Sequence, residues 1–309
     1  MSIAILVSPI LTSLNGVSFP DICHGWISAD EGVILATENG GATWTEIPNT
    51  KTMTTATLRD IVFPDTLHGW AVGGNPPTIV ATDNGGRTWG PQLSSIEDVK
   101  ALLGAVAFPD CTNGWAVGAE FDGGVIVHTA DGGRNWERQA LEAANFSDGF
   151  RGGAFPDTSN GWVVGAGSPD GTGGIIIHTA DGGEYWERQT GNGFCENLWG
   201  VAFPDGTHGC AVGDHGTIVV THDGGSTWQH RDMGAERLMR VTFADTLHGW
   251  AVGENGIFLS TASGGDTWEV LASNQNPLLG VSFPDLSHGW AVGISGTILA
   301  TLLPSSACT

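Results

Sequence analysis

One signature, F-P-D-x-x-H-G-W-x-V-G, recurs seven times along the chain, and a repeat of this kind must bury its apolar face against its own copies. Its aromatic residue falls at Phe19, Phe63, Phe108, Phe155, Phe203, Phe243 and Phe283, at intervals of 40 to 48 residues. That period is the ~40–50 residues of one four-stranded propeller blade. A second signature, T-x-[DN]-x-G-x-x-W, follows each of the first six copies and ends at Trp44, Trp89, Trp136, Trp186, Trp228 and Trp268.

Each repeat reads as four strands, named A to D here. In the second copy, A runs from Leu58 to Phe63, B from His68 to Gly73 and C from Thr78 to Thr82, and D begins at Trp89. Alternating apolar residues suit strands packed between blades. The Pro-Asp after the Phe turns the chain, and the Gly-Gly of the box supplies the positive φ that a tight C–D hairpin needs. The expected fold is all-β, a seven-bladed β-propeller forming a single domain over residues 1–309. Its repeats begin near 14, 58, 103, 150, 198, 238 and 278.

The seventh copy has no box and no box Trp. A missing outer strand leaves an open edge. Counting back from Leu14 places the apolar run Ile3 to Val7 where a strand D belongs, so the N-terminal strand is expected to close the last blade. That run lacks the basic start and length of a signal peptide, which leaves the cytoplasm as the default compartment. No segment approaches the ~20 apolar residues of a membrane span.

The T-x-D-x-G-x-T-W box resembles the Asp-box, or BNR repeat. Together with F-P-D-x-x-H-G-W-x-V-G it resembles the Ycf48/HCF136 family of photosystem II assembly factors and their bacterial relatives, over essentially the whole chain. The resemblance implies a propeller that binds a protein partner. In the photosynthetic members a basic patch near the channel is implicated in that binding.

The formal charge is −22, so nucleic acid and anionic membrane surfaces are expected to be repelled. The five cysteines are odd in number and irregular in spacing, which indicates neither bridges nor a metal site. Cys23 and Cys111 read as equivalent turn positions, Cys210 replaces a core Trp, Cys195 lies in a loop and Cys308 at the tail. No cofactor is indicated, and a monomer is expected.

In a repeat protein, residues present in every copy answer to the fold. Twelve of the 13 Trp are template residues, and the exception is Trp199. Among the phenylalanines, Phe121, Phe146 and Phe194 break the template. These four fall in B–C loops, in D–A loops or at the start of a strand A, which share one face around the channel mouth. Arg59, Arg151 and Arg240 lie three or four residues before the template Phe, where Asn15, Gly104, Trp199 and Leu279 stand in other copies. Three cations converging there can hold an anion.

The template histidines His24, His68, His208, His248 and His288 are replaced by Asn113 and Asn160 in two copies. Asn can stand in for a hydrogen bond but not for a general base, so their role is structural. The box residues Asp131, Asp181 and Asp223 alternate with Asn and Ser and cap hairpins. A sialidase needs a nucleophilic Tyr, and the only Tyr, Tyr185, sits inside a box. Two functional classes remain. The first is a binding or assembly-factor propeller that holds a protein partner or a small apolar or anionic ligand through Trp199, Arg151, Arg59, Arg240, Phe121, Phe146 and Phe194. The second is a lyase, hydrolase or cyclase acting on an apolar or aromatic substrate at the same mouth. Its acid–base groups would come from His215, Glu196, Asp122, Asp148 and Asp170.

Overall fold

The computed structural model describes residues 3–48, 50–74, 77–92, 100–121, 123–141, 149–167, 173–189, 196–234, 236–273, 276–301 and 308. The chain forms seven four-stranded antiparallel sheets. Their innermost strands A are Leu14–Ser18, Leu58–Val62, Leu102–Ala107, Phe150–Ala154, Leu198–Ala202, Leu238–Phe243 and Leu278–Ser282. Each strand A touches the strand A of both neighbouring blades, and the seventh touches the first, so the ring is closed. Strand D of blade seven is Ala4–Leu6, paired antiparallel with Ile298–Ala300, as the missing box implied. Among the described residues no helix is long and apolar enough to cross a membrane.

The template aromatics hold blade to blade. The Trp of H-G-W stacks on the template Phe of the next blade, with Trp26 on Phe63 at 3.7 Å, Trp70 on Phe108 at 3.6 Å and Trp162 on Phe203 at 3.6 Å between centroids. Trp290 on Phe19, at 3.6 Å, makes the same junction across the closure. The box Trp then meets the same Phe edge-on, as Trp89 meets Phe63. The H-G-W glycine is required by this stack, because a Cβ on Gly69 would lie 2.3 Å from the Phe63 ring. Cys210 takes the Trp position in blade five and is fully buried in the junction with blade six, as expected of a core residue.

Every A–B turn is organised by its Asp. Asp21, Asp65, Asp110, Asp157, Asp205, Asp245 and Asp285 each accept two backbone N–H bonds, all of 2.7–2.8 Å, from the residues two and three positions on. The template His or Asn side chain donates to the same carboxylate, which confirms its structural role. Partial burial acts to raise these carboxyl pKa values. The hydrogen bonds outweigh it and lower all seven, with Asp110 and Asp205 brought down to about 2. A depressed folded-state pKa contributes stability that is complete above the unfolded value near ~4 and is lost as pH falls toward the folded value. The melting temperature is therefore expected to stay nearly flat from pH 7 to about 5 and to drop steeply between about 4 and 2. A flat profile down to pH 2 would show that the turns contribute little.

The cysteine expectation is corrected. Cys23 and Cys308 form a disulfide with a Cα–Cα distance of 5.4 Å, across 285 residues of sequence. Ring closure brings Cys308 against the A–B turn of blade one, a proximity that sequence spacing does not reveal. Nor are Cys23 and Cys111 equivalent. Cys23 is the second residue after its turn Asp and Cys111 the first. The Cys111 thiol therefore points to Asp65 of the preceding blade, with Sγ 3.1 Å from Oδ2. Cys195 lies outside the described residues.

Candidate functional site

Every strand A slips register at one residue near its start. The seven slipped residues are Asn15, Arg59, Gly104, Arg151, Trp199, Met239 and Leu279. A bulged residue leaves the ladder and is re-aimed, and here all seven ring one cavity of ≈ 310 Å³ at the channel mouth. Thr57, Leu102, Ala119, Phe150 and Arg240 complete its lining. The cavity therefore joins an apolar wall of Leu102, Phe150, Met239 and Leu279 to a cationic one.

Trp199 is the centre of a fixed polar network. Its Nε1 donates to Asp214 Oδ1 at 2.8 Å, and Asn197 Nδ2 donates to Oδ2 of the same carboxylate at 3.0 Å. Arg237 pairs with Asp214 and also with Glu254. The guanidinium of Arg151, from blade four, lies 4.0 Å from the Trp199 ring centroid, and that of Arg237, from the loop into blade six, lies 4.8 Å away. Partial burial of Asp214 works to raise its pKa. The hydrogen bonds from Arg237, Trp199 and Asn197 prevail and hold it below the usual carboxylate range. Asp214 thus favours its anionic form and orients the indole and one cation.

The three arginines differ in role. Arg59 is exposed and makes no ion pair among the described residues. Arg151 rests on the indole. Arg240 stands one residue beyond the bulge, where other blades have Gly or Ala and blade two has Asp60. It spans the channel, donating to the carbonyls of Trp199 at 3.2 Å and Gly104 at 3.1 Å. Burial raises the pKa of Asp60 while the charge of Arg240 acts the other way. Arg240 accordingly ties strands together across the channel, and Arg59 and Arg151 line the same cavity.

Among the described residues, Phe121, His215 and Glu196 lie away from the cavity. Phe121 is fully exposed at the tip of the blade-three B–C hairpin and does not line the cavity. Phe146, Phe194, Asp122, Asp148 and Asp170 lie outside the described residues. His215 sits at the apex of a B–C turn with φ 53°, a conformation shared by Glu31, Asn255 and Ser295 in other blades. Its Nδ1 is 3.0 Å from Glu196 Oε2, and both groups are exposed to solvent. Blade six repeats this contact as Asn255 bonded to Glu236, at the same sequence separation of 19. The pair is therefore a tie between loop and turn that recurs with Asn, and a catalytic base is not needed to explain it.

Asp214, Arg237, Asn197 and Met239 were not singled out from sequence. Asp214 had a visible signal, since an acid also follows strand B at Asp30 and Glu254. Asp30 accepts a bond from the bulged Asn15 just as Asp214 does from Trp199.

The architecture and mouth define a seven-bladed Asp-box propeller with one cationic, half-apolar pocket on its axis. The chain belongs to the family described as photosynthesis system II assembly factor YCF48, whose profile matches residues 48–146 and 193–277. A solved structure described as YCF48 bound to D1 peptide is similar at TM-score 0.77 and 19% identity, covering 98% of this chain and 97% of the other. YCF48 from Cyanidioschyzon merolae is similar at TM-score 0.73 and 19% identity, covering 97% and 98%. A GH74 xyloglucanase from Xanthomonas campestris shares the fold at TM-score 0.72 and 12% identity, over 96% of this chain and 53% of that one. Among curated proteins none matches by sequence.

Proposed function

We propose that the chain is a protein-binding propeller of the assembly-factor type, whose channel mouth takes a short apolar peptide segment bearing a carboxylate. The observation that carries this reading is Arg151 stacked on an indole that Asp214 holds in place, in a cavity also lined by Arg59, which makes no ion pair among the described residues. A guanidinium already placed, as Arg151 is on the indole, binds a carboxylate with little ordering cost, and Leu102, Phe150, Met239 and Leu279 offer an apolar seat beside it. In a chain of net charge −22 an anion is repelled almost everywhere else, so the mouth selects by sign as well as shape. The family relative bound to a peptide supports the same use of the fold. The Cys23–Cys308 bridge favours an oxidising compartment over the cytoplasm.

The test compares a pool of N-acetylated apolar peptides with free C-terminal carboxylates against the same pool amidated, by fluorescence anisotropy. The free acids are expected to bind about tenfold tighter or more, equivalent to ~1.4 kcal/mol. Arg151→Ala is expected to erase the difference. Equal binding of acids and amides would refute carboxylate recognition.

A further inference from the structure

A second constellation lies on the opposite side of the blades from the mouth, between blades two and three. Asp65, His68 and Cys111 bring a carboxylate oxygen, an imidazole nitrogen and a thiol sulfur within 4.8 Å of one another. His68 Nδ1 is 2.9 Å from Asp65 Oδ2, and Cys111 Sγ is 3.1 Å from that same oxygen. Asp65 is already aimed, because its Oδ1 is taken by the N–H groups of Leu67 and His68, which leaves Oδ2 to face the other two donors.

The repeat supplies its own controls. The Asp–His pair recurs in blades one, five, six and seven, where it serves the turn alone. The residue facing it from the next blade, at the position of Cys111, is Thr66, Thr246, Leu286 and Ile22 in those junctions. In blades three and four the turn has Asn in place of His, faced by Thr158 and Gly206. Only the junction between blades two and three unites carboxylate, imidazole and thiol. His68 and Cys111 line a cleft together with Asp83, Thr112 and Asp131.

We propose that Asp65, His68 and Cys111 form a binding site for a borderline divalent metal ion of the zinc type, pinning blade two to blade three. Tetrahedral Zn²⁺ with bonds of ~2.0–2.3 Å to O, N and S separates its ligand atoms by roughly 3.3–3.6 Å. The two distances to Asp65, 2.9 and 3.1 Å, reach this with shifts of about half an ångström, and the imidazole and thiol, which lie within 4.8 Å, draw together by up to about 1.3 Å. Three protein ligands with a fourth, open position is an established zinc arrangement, and the thiolate favours zinc over magnesium or calcium. Binding displaces the thiol proton to solvent and leaves the imidazole proton on Nε2 in place of Nδ1, so the site gains thiolate–metal and imidazole–metal bonds and loses the Cys111–Asp65 and His68–Asp65 hydrogen bonds. No oxidation is involved.

The full chain, with the Cys23–Cys308 bridge intact, is titrated with Co²⁺ alone and then with Zn²⁺. The expected result is one equivalent of Co²⁺ giving a thiolate-to-cobalt charge-transfer band and tetrahedral visible bands, both removed by Zn²⁺. Cys111→Ser is expected to abolish the charge-transfer band. His68→Asn is the cleaner variant, since Asn113 and Asn160 already hold the same turn by donating to Asp110 and Asp157. It should melt like the parent without metal and bind Co²⁺ at least tenfold more weakly. His248→Asn, at a pair with no facing thiol, should change neither the band nor the affinity. No charge-transfer band in the parent, a band that survives Cys111→Ser, or His68→Asn binding as tightly as the parent would each overturn the site. Cobalt taken up without a thiolate band would mark binding to the acidic surface alone.

Discussion

Deleting residues 1–8 is expected to lower the melting temperature by about 10 °C, corresponding to roughly 5 kcal/mol for a chain of this size. The strand Ala4–Leu6 completes the sheet of blade seven by pairing with Ile298–Ala300. Leu6 and Ile10 also pack against the junction core that holds Trp290 on Phe19. Without the strand, the last blade ends in an unpaired edge of apolar residues, the feature that drives edge-to-edge association. The truncated chain should therefore elute partly as dimers or larger species in size-exclusion chromatography. Loss of the disulfide in Cys308→Ser is expected to cost less, because the strand and the Trp290 stack remain. A truncation that melts like the parent and stays monodisperse would remove the closing strand from the account.

Trp199→Ala is expected to weaken peptide binding by about 30-fold or more, in the range of a binding hot spot, ~2 kcal/mol or above. The indole is half-buried and lies in no apolar core cluster, so the melting temperature should fall by only a few degrees. The loss goes beyond contact area. With the ring gone, Arg151 loses its platform and Asp214 keeps only Arg237 and Asn197 as partners. Calorimetric titration beside a thermal melt separates the two effects. If binding survives while the chain unfolds easily, Trp199 belongs to the scaffold.

The fold was legible because the same physics is written seven times. Phe63, Gly69, Trp70 and Trp89 each have counterparts at the blade period, and each proves to be one member of a repeated stack. Even the closing strand could be located, since a missing box specifies what must replace it. The mouth was legible in part. Departure from the template exposed Trp199, Arg59 and Arg151, and the structure gathers all three around one cavity.

What was missed follows from the same logic. Asp214 and Arg237 act through side-chain geometry between blades, which no spacing rule reports. Arg240 stands three residues before its template Phe, where Arg59 and Arg151 stand four, and a single step along a strand changes which surface a side chain meets. The glycine neighbours of that position show why. A Cβ on Gly200 would lie 3.0 Å from the Arg240 Cα, so the second ring is backbone packed on backbone, and Arg240 must extend along the channel. Cys23 and Cys308 meet only because the ring closes.

The cationic, half-apolar mouth is proposed to hold a peptide carboxylate. The most direct measurement is a crystal structure of the full chain with a tight-binding free-acid peptide from the pool. Density for the carboxylate is expected beside Arg151 and Arg59, with the neighbouring side chain seated among Leu102, Phe150, Met239 and Leu279 and Trp199 still bonded to Asp214. Peptide density on the Asp-box hairpins or the outer strands, with the mouth filled only by water, would contradict it.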